Sequence, residues 1–347
     1  MPLAFECVSY SYDAPKGRKK RATSFSQRQT RDAHTPQAPQ ANAPSDGKRV
    51  WALHNVSFTL DDGEFLGLAG HTGSGKSTLI QHANGLLHPT EGRVLFDGAD
   101  LSDKKTAQTC RSAVGLVFQY PEHQLFAATV YEDVAFGPRN LGLDDEEVAR
   151  RVSEALRLVH LDEADVAQRS PFELSGGQQR RVAFAGVLAM QPRVLVMDEP
   201  VAGLDPVARE EFLELIEELH RHGLSVMMAS HSMEDLARLA DRILVLEHGE
   251  ARWLGAPEEV FSHVEELREI GLNAPAAQQF AEELRHAGFA RPEKLYDAPS
   301  LADALAQQLK PHRPAGANDP RSSFADALAQ QLQSAPAQPT STHPKER

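Results

Sequence analysis

The most diagnostic segment of this sequence runs Gly70-His71-Thr72-Gly73-Ser74-Gly75-Lys76-Ser77-Thr78. Two glycines five positions apart, then a lysine and a hydroxyl, match the phosphate-loop pattern, in which backbone N–H groups converge on nucleotide phosphates. The apolar run Phe65 to Ala69 precedes the segment, and a helical pattern begins at Lys76. The helix start adds a positive field. We expect Lys76 to reach the β and γ phosphates and Ser77 to coordinate Mg²⁺.

A pair of acids follows a second apolar run. Val194 to Met197 is uniformly apolar, as in a parallel strand covered on both faces, and Asp198 and Glu199 come directly after it. Because the carboxyl ends of parallel strands meet at one edge of a sheet, these acids should lie beside the phosphate loop. The pattern predicts that Asp198 holds Mg²⁺ and that Glu199 polarises the water that attacks the γ-phosphate.

Strand-like and helical patterns alternate through most of the chain. The apolar runs that favour buried strands are 65–69, 114–118, 194–197, 225–229 and 243–246. Their separation by helical patterns predicts a parallel sheet wrapped in helices. Ala4 to Tyr10 and Leu53 to Leu60 predict two antiparallel strands. Residues 120–175 break the alternation, so we predict an α/β fold with a phosphate-loop core, an antiparallel β subdomain and an inserted helical subdomain.

A second glycine-rich helix start lies further along the chain. Leu174-Ser175-Gly176-Gly177-Gln178 precedes a helical pattern. Ser175 is a favourable N-cap, and Gly176 and Gly177 leave the first N–H groups of the helix uncovered. This is a second anion-binding end, without a lysine. One chain therefore carries two phosphate-binding helix starts.

Taken together, these segments resemble the ATP-binding-cassette (ABC) ATPases, whose signature motif reads as residues 174–178 do. The resemblance covers about residues 4 to 290 and implies the nucleotide-binding-domain fold of that family. Further family positions are matched by Tyr12, the aromatic that stacks on adenine; Gln119, the Q-loop glutamine; Asp205, in the D-loop Ala-Gly-Leu-Asp; and His231, the switch histidine.

The resemblance also implies roles and a subunit arrangement. Gln119 and His231 join Glu199 as catalytic residues, and Gln119 joins Ser77 and Asp198 around Mg²⁺. In this family the signature of one subunit covers the ATP held on the phosphate loop of another. Ser175 to Gln178 should therefore serve the ATP of a second ABC ATPase subunit, and a monomer should hydrolyse ATP poorly.

One stretch points to a branch of the family. Phe118 to Phe126, FQYPEHQLF, is similar to the segment after the Q-loop in ATPases of energy-coupling factor transporters, which import vitamins and metal ions. His71, Asn84-Gly85-Leu86 and Ala135 to Pro138 look like the second of the two paired ATPases in that branch. Val201, where threonine or serine is usual, departs from the pattern.

Membership of this branch would imply three kinds of partner. They are a related ATPase forming a heterodimer, a transmembrane scaffold protein that docks at Gln119 to Phe126, and a substrate-binding membrane protein. The expected location is the cytoplasmic side of the cell membrane, as a peripheral protein.

The ATPase domain is predicted at residues 1–13 and 50–255, with 120–175 as its helical subdomain. Residues 14–49 are rich in Pro, Gln, Ser, Thr and basic side chains, which predicts a disordered insertion. Its basic residues leave contact with lipid headgroups or with nucleic acid open as alternatives.

Helical patterns at Pro257 to Ile270 and Ala274 to His286 predict a C-terminal extension over 256–290. It either keeps two ATPases paired, as in the family, or covers a sheet edge. The remaining residues, 291–347, carry the octapeptide ADALAQQL at 302–309 and again at 325–332. Prolines around both copies favour a mostly disordered tail over short helices.

The composition excludes several classes of protein. A net charge of -13 provides no overall attraction to nucleic acid or anionic membranes, and we expect no nucleic-acid partner. Two cysteines support neither a disulfide framework nor a cysteine metal cluster, as expected in a reducing compartment. No apolar run reaches the roughly 18 residues that a membrane-spanning helix needs.

Three other functions fit parts of the pattern. The chain could energise another class of ABC transporter. A soluble cassette acting on ribosomes or DNA usually has tandem cassettes or a long coiled coil, whereas this chain has one phosphate loop, one signature and no sustained heptads. A cassette that binds ATP only as a switch is disfavoured by the presence of both Glu199 and His231.

Overall fold

The computed structural model describes residues 2–13 and 50–286. The predictions for 14–49 and 291–347, including the repeated octapeptide, lie outside these ranges. Within them the chain forms ten strands in two sheets. In chain order the strands are β1 Leu3–Tyr10, β2 Leu53–Leu60, β3 Phe65–Ala69, β4 Glu91–Phe96, β5 Ala99–Asp100, β6 Val114–Val117, β7 Val194–Asp198, β8 Ser225–Ala229, β9 Arg242–Glu247 and β10 Glu250–Gly255.

The same ranges contain eleven α-helices. They are α1 Lys76–Ala83, α2 Lys104–Ala113, α3 Val130–Asn140, α4 Asp145–Leu158, α5 Glu163–Val166, α6 Gly176–Leu188, α7 Pro206–Arg221, α8 Met233–Leu239, α9 Pro257–Val260, α10 Val264–Glu269 and α11 Ala276–His286. Two 3₁₀ helices, Pro121–Gln124 and Pro171–Glu173, flank α3 to α5 in the chain. None of the helices in the described part of the chain is both long and apolar enough to cross a bilayer.

The larger sheet has the strand order β10-β9-β3-β8-β7-β6. Only β10 runs antiparallel to its neighbour, and the other pairs are parallel. Every residue of β3 and β8 is buried, which accounts for their uninterrupted apolar sequences. The predicted parallel core is confirmed.

Alternate residues of these strands face two apolar clusters. Leu66 and Leu68 of β3 pack with Leu79 and Ile80 of α1, whereas Phe65 packs with residues of α6, α7 and α8. The period of two follows from strand geometry. Helix α1 therefore lies on one face of the sheet, opposite α6 to α8.

The smaller sheet is antiparallel and has the order β2-β1-β4-β5. The predicted pairing of the first two strands is confirmed by the register Leu3 to Leu60. This sheet shares its apolar cluster with α1 and β3, and so packs on the α1 side of the core.

Helices α3, α4 and α5 lie between β6 and α6 in the chain. Each begins at a side-chain N-cap: Thr129, Asp144 and Asp162 accept hydrogen bonds from first-turn N–H groups. Val134 of α3 and Val152 of α4 are fully buried in the same cluster as Val182 of α6. This packing fixes the start of α6, where the signature residues lie.

The helical pattern from Pro257 to Ile270 contains two short helices. They are α9 and α10, and the chain leaves the helical conformation between them. Phe261 is fully buried between them, and the ring of His263 stacks on Trp253 of β10 at 5.2 Å between centroids. These tertiary contacts stabilise the break between α9 and α10, since tertiary context overrides local propensity.

Candidate active site

Two positions in the loop between β3 and α1 can be occupied only by glycine. Gly75 has φ +108°, and a Cβ there would lie 2.7 Å from the carbonyl oxygen of Ala52. A Cβ on Gly70 would lie 2.4 Å from the hydroxyl of Ser74. The glycines thus allow the loop to fold tightly over β3. As a result, the N-terminus of α1 faces solvent.

The same loop collects hydrogen-bond donors, and some of them have no acceptor among the described residues. No side chain caps α1, so the N–H groups of its first turn lack intrahelical acceptors, and the buried Ser74 hydroxyl has no hydrogen-bond partner. The ammonium of Lys76 donates to the carbonyls of Gly70 at 2.5 Å and His71 at 3.2 Å. This donor set fits a polyphosphate.

Burial lowers the pKa of Lys76, and the carboxylates of Glu199 and Asp198 oppose that effect. Both acids therefore lie close enough to the lysine to act on its charge. The structure thus brings the phosphate loop and the acids after β7 to one edge of the sheet, as parallel β3, β8 and β7 require.

Glu199 occupies a left-handed backbone conformation, φ +51°, that residues other than glycine rarely adopt. Its N–H donates to the carbonyl of Ala229 at the end of β8, and its Oε2 accepts from the N–H of His231 at 3.2 Å. His231 Nε2 lies 3.4 Å from Oε1 without forming a hydrogen bond. Burial raises the pKa of Glu199 to about 7, despite the His231 N–H and Lys76.

His231 follows β8 and its side chain is about half exposed, at 54%. Partial burial and the charge of Lys76 lower the pKa of His231. The next residue, Ser232, caps α8 through the N–H of Asp235. His231 is thus held at the edge of the site with its ring accessible.

Two other predicted residues lie at the periphery. Tyr12 is 60% exposed, and its hydroxyl lies 3.1 Å from that of Thr78 in α1. Its ring contacts Tyr10 edge-on at 5.0 Å. Gln119 is exposed and follows β6, the strand next to β7.

The signature residues form a second helix start, away from the first. Ser175 and Gln178 make a reciprocal capping box at the N-terminus of α6. A Cβ on Gly176 or Gly177 would meet no atom of residues 2–13 and 50–286 within 4 Å, so these residues leave the approach to this helix end open. No hydrogen bond or ion pair joins residues 174–178 to the phosphate loop of the same chain.

Asp205 caps α7 through the N–H groups of Val207 and Ala208. Its carboxylate therefore stabilises the start of the helix that follows the D-loop.

The sequence gives no sign of one further residue, Arg180. This residue is buried behind the signature and contacts both Glu122 and the turn after Glu199. Only its position directly after the signature could have drawn attention to it.

A phosphate loop on a parallel sheet, acids at the adjacent strand end, a small antiparallel sheet and a separate glycine helix start define the class of ABC ATPases. A family model described as ABC transporter matches residues 53–202. The chain is 57% identical to "Energy-coupling factor transporter ATP-binding protein EcfA2" of Symbiobacterium thermophilum, over 74% of this chain and 88% of the relative. The chain belongs to this family of energy-coupling factor ATP-binding proteins.

Solved structures agree with the fold. The structure of cbiO1 from Clostridium perfringens, described as part of the ABC transporter complex cbiONQ, aligns with a TM-score of 0.61 and 33% identity, over 81% of this chain and 98% of that one. A dimeric ATP-binding cassette in a post-hydrolysis state, bound to ADP and Pi, aligns with a TM-score of 0.58 and 27% identity, over 74% and 98%. The predicted fold and the predicted class, a transport-coupled ATPase subunit, are confirmed.

Proposed function

We propose that this chain binds ATP on residues 70–78 and, paired with a second ATPase, drives an importer of vitamins or metal ions. The β and γ phosphates lie on the first-turn N–H groups of α1, with Lys76 turning from the carbonyls of Gly70 and His71 to the phosphates. Adenine stacks on Tyr12, whose exposed ring stands beside Thr78.

The oxygen donors at the site suit Mg²⁺. Ser77 is exposed at the start of α1, and Asp198 ends β7, the strand that packs against α1. Within residues 2–13 and 50–286 no cluster of three or more His, Cys, Asp or Glu could hold a metal by itself. Mg²⁺ sites at nucleotides usually contain one or two carboxylates together with substrate phosphates and waters, so such a cluster is not required. When bound, Mg²⁺ supplies charge neutralisation of the phosphates; Ser77, Asp198 and Gln119 would hold it.

Glu199 is the proposed general base. Its Oε1 is buried with no hydrogen-bond donor, and its pKa is raised toward neutrality, so it is ready to accept a hydrogen bond from the attacking water. His231 fixes the carboxylate through its N–H and presents its ring toward the γ-phosphate. Positioning is the main task in phosphoryl transfer, because the transition state is loose.

The signature residues complete a site on another subunit. Ser175 to Gln178 form an open, lysine-free helix start, and in the described part of the chain no atom stands within 4 Å of a Cβ built on Gly176 or Gly177. The solved dimeric cassette bound to ADP and Pi supports pairing of this class of domain. In the proposed assembly the partner is a related ATPase, and the two cassettes enclose two nucleotides.

Residues 119–126 form the proposed docking segment for a transmembrane scaffold. Phe126 and Phe136 are 59% and 50% exposed, and their rings contact edge-on at 4.9 Å. Asp133 holds the end of the segment by accepting from the N–H groups of Phe126 and Ala127. A rigid, apolar, solvent-facing patch suits a helix of a membrane partner. The chain would then sit on the cytoplasmic membrane face, in a complex that also holds the substrate-binding protein.

The observation that carries the proposal is the pair of anion-binding helix starts, one with Lys76 and the acids, the other with neither. The test is Glu199→Gln in the full chain, co-expressed with its partners. We expect ATP binding to persist, hydrolysis to fall by about 10²- to 10⁴-fold, and ATP-dependent closed dimers to accumulate. The exposed carboxylate variant Glu146→Gln serves as control. Turnover at the wild-type rate in Glu199→Gln would remove this residue from its role.

A further inference from the structure

Arg180 lies in the second turn of α6 and its side chain is 4% exposed. Its guanidinium forms a two-bond pair with Glu122 of the docking segment: Nε donates to Oε2 at 2.9 Å and Nη2 to Oε1 at 2.8 Å. A buried arginine with a fork geometry of this kind fixes both the distance and the orientation of its carboxylate.

The other end of the same guanidinium holds a different element. Nη1 donates to the carbonyl of Ala202 at 2.8 Å and to that of Pro200 at 3.2 Å. These carbonyls belong to the catalytic turn, residues 199–202, which closes on itself through the hydrogen bond from the N–H of Ala202 to the carbonyl of Glu199. One side chain therefore joins the docking segment to the turn that carries the general base.

Tyr120 provides a second contact between the same two elements. It adopts φ +58°, and its ring lies 5.9 Å from the guanidinium carbon of Arg180. The ring edge is 3.3 Å from the place where a Cβ on Gly203 would stand. The docking segment thus rests against the residue directly after the catalytic turn, and Arg180 stands between them.

We propose that Arg180 is a positioning residue that transmits movement of the docking segment to Glu199. This inference rests on the proposed function. Glu199 occupies a strained backbone conformation, which persists only when the surrounding contacts impose it. A shift of Glu122 by the membrane partner moves the guanidinium, and with it the Pro200 and Ala202 carbonyls. Arg180 does not contact the nucleotide cradle, so it acts on the rate of hydrolysis and not on ATP affinity.

The test uses the complete membrane complex with Arg180→Gln, Glu122→Gln and the double variant. We expect kcat for ATP hydrolysis to fall by about 2- to 30-fold, transport per ATP to fall, and KM for ATP to stay unchanged. The effects of Arg180→Gln and Glu122→Gln on kcat should not be additive, because each substitution breaks the same link between the docking segment and the catalytic turn. Arg180→Lys, which keeps the charge but loses the fork, should restore part of the rate.

The matched control is Arg150→Gln, which removes an exposed ion pair from α4 in the same helical region. Equal kcat and coupling in Arg180→Gln and Arg150→Gln, or additive effects of the two single variants, would overturn the inference. If Arg180→Gln does not fold, Glu122→Gln decides, because it leaves both carbonyl bonds of Arg180 in place; wild-type coupling in that variant overturns the inference. Absence of ATP hydrolysis or transport by the wild-type complex would instead contradict the proposed function.

Discussion

Lys76 interacts with both the phosphate loop and the acids at the edge of the sheet. Its ammonium bridges the loop carbonyls of Gly70 and His71, and it lies within electrostatic reach of Asp198 and Glu199. These contacts hold the loop closed and leave the lysine able to exchange carbonyl oxygens for phosphate oxygens. In the proposed function, the charge of this one side chain supports both the shape of the loop and the binding of ATP.

We predict that Lys76→Ala weakens ATP binding by about 2 kcal/mol or more, because a hydrogen bond to a charged group is lost. Equilibrium binding of a fluorescent ATP analogue to the purified chain measures the effect. Lys105→Ala, on the exposed start of α2, is the control and should bind as the wild type does. Equal affinity in both variants would show that the loop does not use its lysine.

At the scale of single residues, the sequence predicts the parts of the site that are contiguous in the chain. The phosphate loop at residues 70–78 and the N-cap at Ser175 follow from local spacing alone. Arg180 could not be predicted, because its partners lie at Glu122 and at Pro200 to Ala202, and a single sequence gives no sign of such long-range pairs. The left-handed conformation of Glu199 is equally invisible, since it is imposed by β8 and α6.

Helix α1 contains a buried titratable side chain, His82. The ring is fully buried, its Nδ1 lies 2.7 Å from the carbonyl of Thr78, and it contacts Tyr10 edge-on at 4.9 Å. Burial lowers the pKa of His82 to about 4. Tyr10 in turn contacts Tyr12, so the rings connect α1 to the predicted adenine-stacking residue.

The lowered pKa of His82 predicts a pH dependence of stability. The unfolded chain takes up a proton below about pH 6.5, whereas the folded chain resists protonation until about pH 4. The contribution of His82 to the free energy of unfolding is therefore fully present above about pH 6.5 and is lost as the pH falls toward about 4. The loss between pH 7.5 and pH 5 is about 2 kcal/mol.

The matched pair for this prediction is His82→Gln and His222→Gln. His222 is exposed and makes the same contact, Nδ1 at 2.7 Å from the carbonyl four residues earlier. Urea unfolding monitored at pH 7.5 and 5 should show a smaller pH effect in His82→Gln only. An unchanged pH effect in that variant would contradict burial as its source.

Among the elements, the buried parallel strands are predicted to within a residue at their ends, because continuous apolar runs leave few alternatives. Strands β4 and β10 are not predicted, since most of their residues are exposed or half-buried and their alternation is weak. The helical pattern from Pro257 to Ile270 corresponds to α9 and α10, but the break between them is not predicted. The burial of Phe261 at that break depends on packing that periodicity does not report.

For the whole molecule, the exposed rings of Phe126 and Phe136 predict which surface binds the transmembrane partner. Phe126→Ala together with Phe136→Ala should weaken association with the transmembrane partner by about 2 kcal/mol, the loss typical of a central aromatic contact. Co-purification from detergent-extracted membranes measures this loss, and ATP binding should not change. Leu86→Ala removes a similarly exposed apolar side chain from the segment after α1, outside the docking segment, and is the control. Undiminished co-purification of the double variant would place the docking surface elsewhere.

The central claim is that Ser175 to Gln178 cover the nucleotide held by a partner subunit. The most direct measurement is photolabelling with an ATP analogue that carries the reactive group on its γ-phosphate. The complex contains this chain with Lys76→Ala, which disables its own loop, and the wild-type partner ATPase. We predict label in the tryptic peptide of residues 170–180, and only in the paired complex. Label on the partner's phosphate loop, with none in that peptide, would contradict the account.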